Sequence, residues 1–276
     1  DSRQKSYRNT LGFSLTKQGH YHFPGNDFLN ISYDKVRLSV DFPVVHRSLD
    51  YQRGAIDTLV SQTDFFINPS LQLRRVWSGG KKQASFNVSH RRSEADLSNK
   101  IHYRDDSQPL VVRLGNPNLK GRMSTDLSAN YSSNFGKHQQ MFSVTASANY
   151  VHRATAQSKS YDEATGVYTY MPKNVGGAYH YNGSINYSSA LDKNRYWTWQ
   201  TNFNADYNHS VDYAMLSGET ESHRNVVNTT TLKEGAFLQF NKNTLNLRAV
   251  GDVNWRHSTG KMRDFTTLNV WDYHYG

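Results

Sequence analysis

Phe142-Ser143-Val144-Thr145-Ala146-Ser147-Ala148-Asn149-Tyr150 alternates in character at every position. Phe142, Val144, Ala146, Ala148 and Tyr150 share one face; Ser143, Thr145, Ser147 and Asn149 share the other. A period of two defines a strand, because successive side chains point to opposite sides of a sheet. One face is apolar with an aromatic ring at each end, and the other is small, polar and uncharged. A wall with lipid outside and water inside needs that pairing of faces. The strand closes a longer stretch, Leu114 to Tyr150, which opens on the turn Gly115-Asn116-Pro117-Asn118-Leu119-Lys120. Between the two, Thr125 to Phe135 alternates in the same way, with Leu127, Ala129 and Tyr131 against Ser128, Asn130 and Ser132.

Composition agrees with a wall of this kind. Hydrophobic residues make up 36% of the 276, and mean hydropathy is -0.78. No run approaches the ~20 apolar residues of a spanning helix. Low hydropathy also fits disorder, but the 13% aromatic content and regular alternation oppose it. A transmembrane β-barrel reconciles the figures, since only every second residue meets lipid. The absence of cysteine excludes disulfides, thiolate metal sites and cysteine nucleophiles. The net charge of +9 is dispersed in small groups such as Arg74-Arg75, Lys81-Lys82 and Arg91-Arg92, so no nucleic-acid partner is expected. Anionic lipid head groups are the alternative partner for such flanking charges. Asp1-Ser2-Arg3 is polar, and a processed protein or a fragment is expected.

Outward from the opening stretch the same pattern recurs. Strands are expected over Asn9–Lys17, Phe28–Tyr33, Lys35–Arg47, Phe65–Trp77 and Gln83–Arg92. More follow around Gly183–Ser188, Trp197–Asn208, Val226–Phe240, Leu245–Trp255 and Phe265–Tyr273. Pro43 cannot donate to a ladder and marks a bulge or a strand end. Leu49–Thr63, Ser93–Arg113, Arg153–Tyr181 and Val211–Asn225 read as loops, the third holding a short hairpin turned by Asp162 to Gly166. The expectation is one all-β domain over residues 1–276, an antiparallel up-and-down barrel of roughly a dozen strands.

Short turns at Gly79-Gly80, Gly136-Lys137, Asp192-Lys193 and Lys242-Asn243 alternate with the long polar loops. Barrels of the outer membrane have short periplasmic turns and longer extracellular loops. The loops 93–124, 153–181 and 211–225 are therefore expected outside the cell. Asn202, Asn204, Asp206, Asn246, Arg248, Asp252 and Asn254 are expected to line a lumen. Tyr131, Tyr150, Trp197, Trp199, Tyr207 and Trp255 are expected to form interfacial girdles, with the core of a β-sandwich as the other reading.

The turn Gly115, Asn116, Pro117, Asn118, Leu119, Lys120, followed by Thr125-Asp-Leu-Ser-Ala-Asn-Tyr131, resembles a signature of the barrels of TonB-dependent receptors. There an Asn-Pro-(Asn/Asp)-Leu-Lys-Pro-Glu turn precedes a strand. Asn68-Pro69-Ser70-Leu71-Gln72-Leu73 is similar to the strand before that turn, and Tyr161-Asp162-Glu163 with Gly166-Val167 to the loop after it. The resemblance covers about residues 60–260. Gly121-Arg122 departs from the family's Pro-Glu. The resemblance implies a C-terminal or internal part of a larger barrel, whose plug domain is not in this chain. It also implies energy-dependent uptake of a glycan, peptide or metal chelate. The implied partners are outer-membrane lipid and lipopolysaccharide, the plug, an energy-coupling protein and a small nutrient ligand. The alternative is a soluble or surface-anchored all-β binding module without transport.

No cofactor, metal or catalytic residue is expected. Phosphate-loop, dinucleotide and metalloprotease motifs are missing. His20 and His22 could share a strand face, but a solvated turn is the simpler reading. Asp105-Asp106 and Asp162-Glu163 read as solvated loop acids rather than a calcium site. For an outer-membrane hydrolase, His152 and His209 are the candidate bases.

Overall fold

The computed structural model describes residues 2–21, 32–53, 56–136, 140–216, 218–262 and 265–276. It contains β1 (Ser2–Tyr21), β2 (Ser32–Arg53), β3 (Ile56–Phe65), β4 (Asn68–Trp77), β5 (Lys82–Arg92), β6 (Arg104–Gln108), β7 (Val111–Leu114) and β8 (Met123–Phe135). They are followed by β9 (Gln140–Asp162), β10 (Val167–Val175), β11 (Ala178–Ala190), β12 (Trp197–Ala214), β13 (His223–Lys242), β14 (Leu245–Gly260) and β15 (Leu268–Tyr275). One sheet runs β1-β2-β4-β5-β8-β9-β11-β12-β13-β14-β15, antiparallel throughout. β3 pairs with β2, while β6, β7 and β10 form a branch on the far half of β9. Among the described residues the sheet is open, with β1 and β15 at its ends.

Register explains how the pattern becomes a wall. Directly paired residues share a face. Leu15, Leu38, Leu71, Val88, Leu127, Ala148, Tyr181 and Tyr207 form one such row across eight strands. One step along, Thr16, Arg37, Gln72, Asn87, Ser128, Ser147, Asn182, Asp206, Thr231 and Arg256 form the opposite face. A slip of one residue between any two strands would mix the faces, so the hydrophobic pattern fixes the register.

The apolar face is uncovered. Phe203 is 37% exposed and Leu247 55%, with Phe13, Leu15, Leu38 and Ile185 likewise exposed. A sandwich would bury them against a second sheet, and among the described residues none lies there. The buried core sits elsewhere, mostly at the ends of the strands bearing long loops. One cluster joins Leu49, Leu97 and Ile101 with Tyr51, Val60 and Tyr103; another joins Val175, Val211 and Val226. Beside the first, Arg47 is 3% exposed and donates to the Ala95 carbonyl at 2.5 Å and to Asp64 at 2.9 Å.

Several expected loops are strand instead. β2 runs through Pro43 to Arg53 and pairs with β3, so Leu49–Thr63 is largely sheet. The packing of Leu49, Tyr51 and Val60 onto Leu97 and Ile101 stabilises this hairpin, a contact no local pattern announces. Pro43 marks where β2 changes partner: Asp41 pairs with Asn68 of β4, and Val44 with Phe65 of β3. Phe65–Trp77 is accordingly two strands. Ser93–Arg113 contains β6 and the start of β7, β9 extends to Asp162, and both ends of Val211–Asn225 belong to strands, β12 to Ala214 and β13 from His223. Among the described residues the count rises to 15 strands. The expected strand Phe28–Tyr33 and His22 fall largely or wholly outside the described residues.

Candidate barrel wall and loop-side cap

The polar face supplies the wall's inner chemistry. Asn202, Asn204 and Asp206 on β12 face β13 opposite Gly235, Lys233 and Thr231. Those in turn oppose Asp252, Asn254 and Arg256 on β14. Asn246 and Arg248 continue this face toward the Lys242–Leu245 turn, where the Arg248 guanidinium lies over the Phe237 ring at 4.5 Å. All seven expected lumenal residues thus lie on one surface. Asn202 bonds Asn186, Asn204 bonds Asn202, and His274 bonds Asp252 at 2.9 Å.

Sequence reading missed three members of this surface. His180 bonds Asp206 at 2.5 Å, and Lys233 and Arg256 flank them without an ion-pair partner among the described residues. Together with Thr229, Thr231 and Asn254 they line a concavity of ≈ 630 Å³. The threonine run 229–231 conceals the phase of β13 in sequence; register with β12 reveals it.

The six expected girdle residues all stand on the apolar face, and they fall into two levels. Near the short turns, Tyr131 lies 6.1 Å from Trp77 and 6.3 Å from Phe142, and Trp197 lies 4.8 Å from Phe240. Trp199 follows Trp197 on the same face. Toward the loops, Tyr150 stacks on Tyr179 at 6.3 Å, Tyr181 on Tyr207 at 6.3 Å, and Trp255 lies 5.8 Å from Trp271. From Phe142 to Tyr150, Tyr179 to Tyr187 and Trp199 to Tyr207, nine residues inclusive separate the levels on β9, β11 and β12. A tilted strand crosses a bilayer in ~9–11. The loop-side level is not at the strand ends, however. β9 continues to Asp162, about 40 Å of chain past Tyr150 at ~3.3 Å per residue.

That projecting part forms a cap, and the signature turn is its fastener. Leu119 is 2% exposed. Asn116 folds the turn by accepting from the Asn118 N–H at 3.0 Å, while its side-chain amide donates to Pro172 at 2.9 Å. Its own N–H donates to Asn99 at 2.7 Å. Asn174 of β10 bonds both backbone groups of Lys120, at 2.9 and 2.8 Å. Gly115 and Gly121 are each pressed against a carbonyl, those of Ile101 and Ser93, where a Cβ has no room. Gly121 also accepts from Arg153 Nε at 2.7 Å. The glycine at 121, half of the departure Gly121-Arg122, is therefore a packing requirement of this cap. Pro117, Asn118 and Lys120 are exposed.

The cap's acids and the two candidate bases have local partners. Asp162 accepts from the Thr165 hydroxyl at 2.8 Å and the Ala164 N–H at 3.0 Å, and these bonds hold its carboxyl below the usual range. Asp105 is buried, whereas Asp106 is exposed and lies 3.4 Å from Arg104. His152 bonds Thr125 at 2.8 Å and His209 bonds Asn228 at 2.6 Å, so each meets a hydroxyl or an amide rather than an acid.

No curated protein matches the chain. The profile of the outer membrane protein beta-barrel family matches residues 49–270, which span the two-faced wall from the β2–β3 hairpin to β15. A sheet of long antiparallel strands, apolar and uncovered on one face and polar on the other, is what that family requires, and the chain belongs to it, as a protein of the outer membrane.

Proposed function

We propose that this barrel wall serves energy-dependent uptake of a nutrient, a glycan, peptide or metal chelate, and carries no catalytic chemistry of its own. The observation that carries the reading is the continuous polar surface from Arg37 to Arg256 beneath a folded cap. A wall that only anchored a protein would need the apolar face alone. Amide and hydroxyl groups along the lumen exchange hydrogen bonds with a hydrated solute at low cost, and the cap offers a loop surface for capture. The long loops face outward and the short turns face the periplasm. A plug and an inner-membrane energy source complete the cycle, as the resemblance to TonB-dependent receptors implies.

The test is uptake by cells producing the full-length protein, with labelled maltoheptaose, tetra-alanine and ferric citrate as probes. Uptake of one probe, abolished by a protonophore, is expected. Equal uptake of all three with and without the protonophore means passive diffusion and overturns the reading. The binding-module alternative predicts surface retention of a probe without entry.

A further inference from the structure

We propose that the apolar face from β5 to β12 carries a binding site for a phosphate-bearing acylated lipid of the outer leaflet, its polar part on β5, β8 and β9. The placement in that leaflet rests on the loop-outward orientation proposed above. The site has two parts in the same vertical order on three neighbouring strands.

The lower part is a groove. Ala129, Ala146, Gly183 and Ala205 are directly paired across four strands and form its floor. Phe86, Leu127 and Tyr181 rise beside them. The groove measures ≈ 450 Å³, within the ~300–1,000 Å³ of ligand pockets. Its lining is apolar and it opens on the lipid side, so it suits an acyl chain.

The upper part is polar and cationic. On β5, His90 stands four residues above Phe86 on the same face, roughly 13 Å at ~3.3 Å per residue, and Arg92 stands above His90. On β8, Thr125 stands above Leu127; on β9, Tyr150 and His152 stand above Ala148. Thr125 Oγ1 lies 3.0 Å from His90 Nδ1 and 2.8 Å from His152 Nε2, which fixes both rings. Among the described residues, His90 Nε2, His152 Nδ1 and the Arg92 guanidinium have no partner. No carboxylate stands on this face of β5 or β8; Asp126 is on the other face, bonded by Asn149 at 2.6 Å.

Ordinary bilayer lipid needs neither a fixed imidazole pair nor an unpaired guanidinium above the edge of an apolar slot. A phosphate joined to acyl chains meets both parts together. Arg92 supplies the charge-assisted bonds, the imidazole that accepts the Thr125 hydroxyl proton adds one directed N–H donor, and the Tyr150 ring marks the boundary between head group and chain.

The full-length protein is reconstituted in phosphatidylcholine nanodiscs doped with lipid A or with its phosphate-free analogue. Lipid retained after detergent extraction is read by native mass spectrometry. The wild type is expected to keep one equivalent of the phosphorylated lipid only. Replacing Arg92, His90 and His152 together by Gln lowers retention about tenfold or more, the scale of a lost charge-assisted hydrogen bond. Ala146→Leu, which fills the groove, lowers it too, and Lys81→Gln at the far end does not. Arg92→Gln alone serves if the triple variant misfolds. Equal retention of the phosphate-free analogue, or full retention in the variants, overturns the site. Orientation is read separately with Thr165→Cys, in a sequence without cysteine, and a membrane-impermeant maleimide on intact cells. Labelling with no selective retention sinks the lipid site alone; no labelling sinks the outward orientation.

Discussion

Asn174 and Lys120, 54 residues apart in sequence, form a closed pair: the Asn174 side-chain amide donates to the Lys120 carbonyl at 2.8 Å and accepts the Lys120 N–H at 2.9 Å. One side chain thereby substitutes for a neighbouring strand and ties the signature turn to β10. Asn174→Ala leaves two backbone groups of the turn unpaired, at a cost of about 1–3 kcal/mol. The expected result is early proteolysis within 93–120 while the barrel still migrates as folded. Unchanged cleavage there would show that the pair does not hold the cap.

Glycine answers a steric demand at two positions and none at a third. A methyl group at Gly115 or Gly121 would land on the Ile101 or Ser93 carbonyl, backbone that cannot move aside cheaply. Gly251 meets nothing within 4 Å. Gly115→Ala and Gly121→Ala should each destabilise the cap by roughly 1–3 kcal/mol, the usual range for overpacking, and Gly251→Ala should not. Hydrogen exchange of the Val111–Leu114 and Val167–Val175 amides reads the difference. Equal protection in all three variants would contradict the crowding.

The assignment of faces is tested by neighbours. Ala146 lies on the apolar face and Ser147 on the polar one. Ala146→Arg should cost about 2–4 kcal/mol of folding into vesicles, the range for a basic residue at mid-bilayer, and Ser147→Arg less than about 1. Urea titration of the vesicle-inserted protein measures both. A reversed order would invert the wall.

Asp192 closes the turn between β11 and β12. The Trp197 N–H donates to its carboxylate at 2.8 Å, and that bond, the largest influence, holds the carboxyl below its usual value against a smaller opposing effect of desolvation. A depressed carboxylate contributes stability that is complete above the ordinary aspartate range near ~3.9 and is lost as pH falls through its folded value. Asp192→Asn should therefore unfold more readily than wild type at pH 7, and the difference should shrink on acidification toward pH 3. A gap that widens with acid would contradict the bond's role.

Legibility in the sequence followed the membrane. Where lipid and water impose opposite demands on successive residues, as from Phe142 to Tyr150 or Trp197 to Asn208, period two is visible and the strands lie where expected. Above the loop-side aromatic level that demand ends. Leu49, Val175 and Val211 are then buried by cap contacts, and strand formation follows ladder partners instead of alternation. β13 shows the same limit on a smaller scale. Its Thr229-Thr230-Thr231 run suits either face, so only pairing with β12 places Lys233 inward beside Asp206 and Arg256.

The wall is written into local pattern: two unlike faces, their aromatic borders, and turns that reverse each strand depend only on residues close in the chain. How far the strands project, and what fastens them, depends on contacts between segments distant in the chain. The signature turn reads as a link between strands, yet its function in the fold is to bond Asn99, Pro172 and Asn174 across the cap. Those contacts join distant segments through backbone groups that every residue carries, and so leave no pattern in side-chain chemistry.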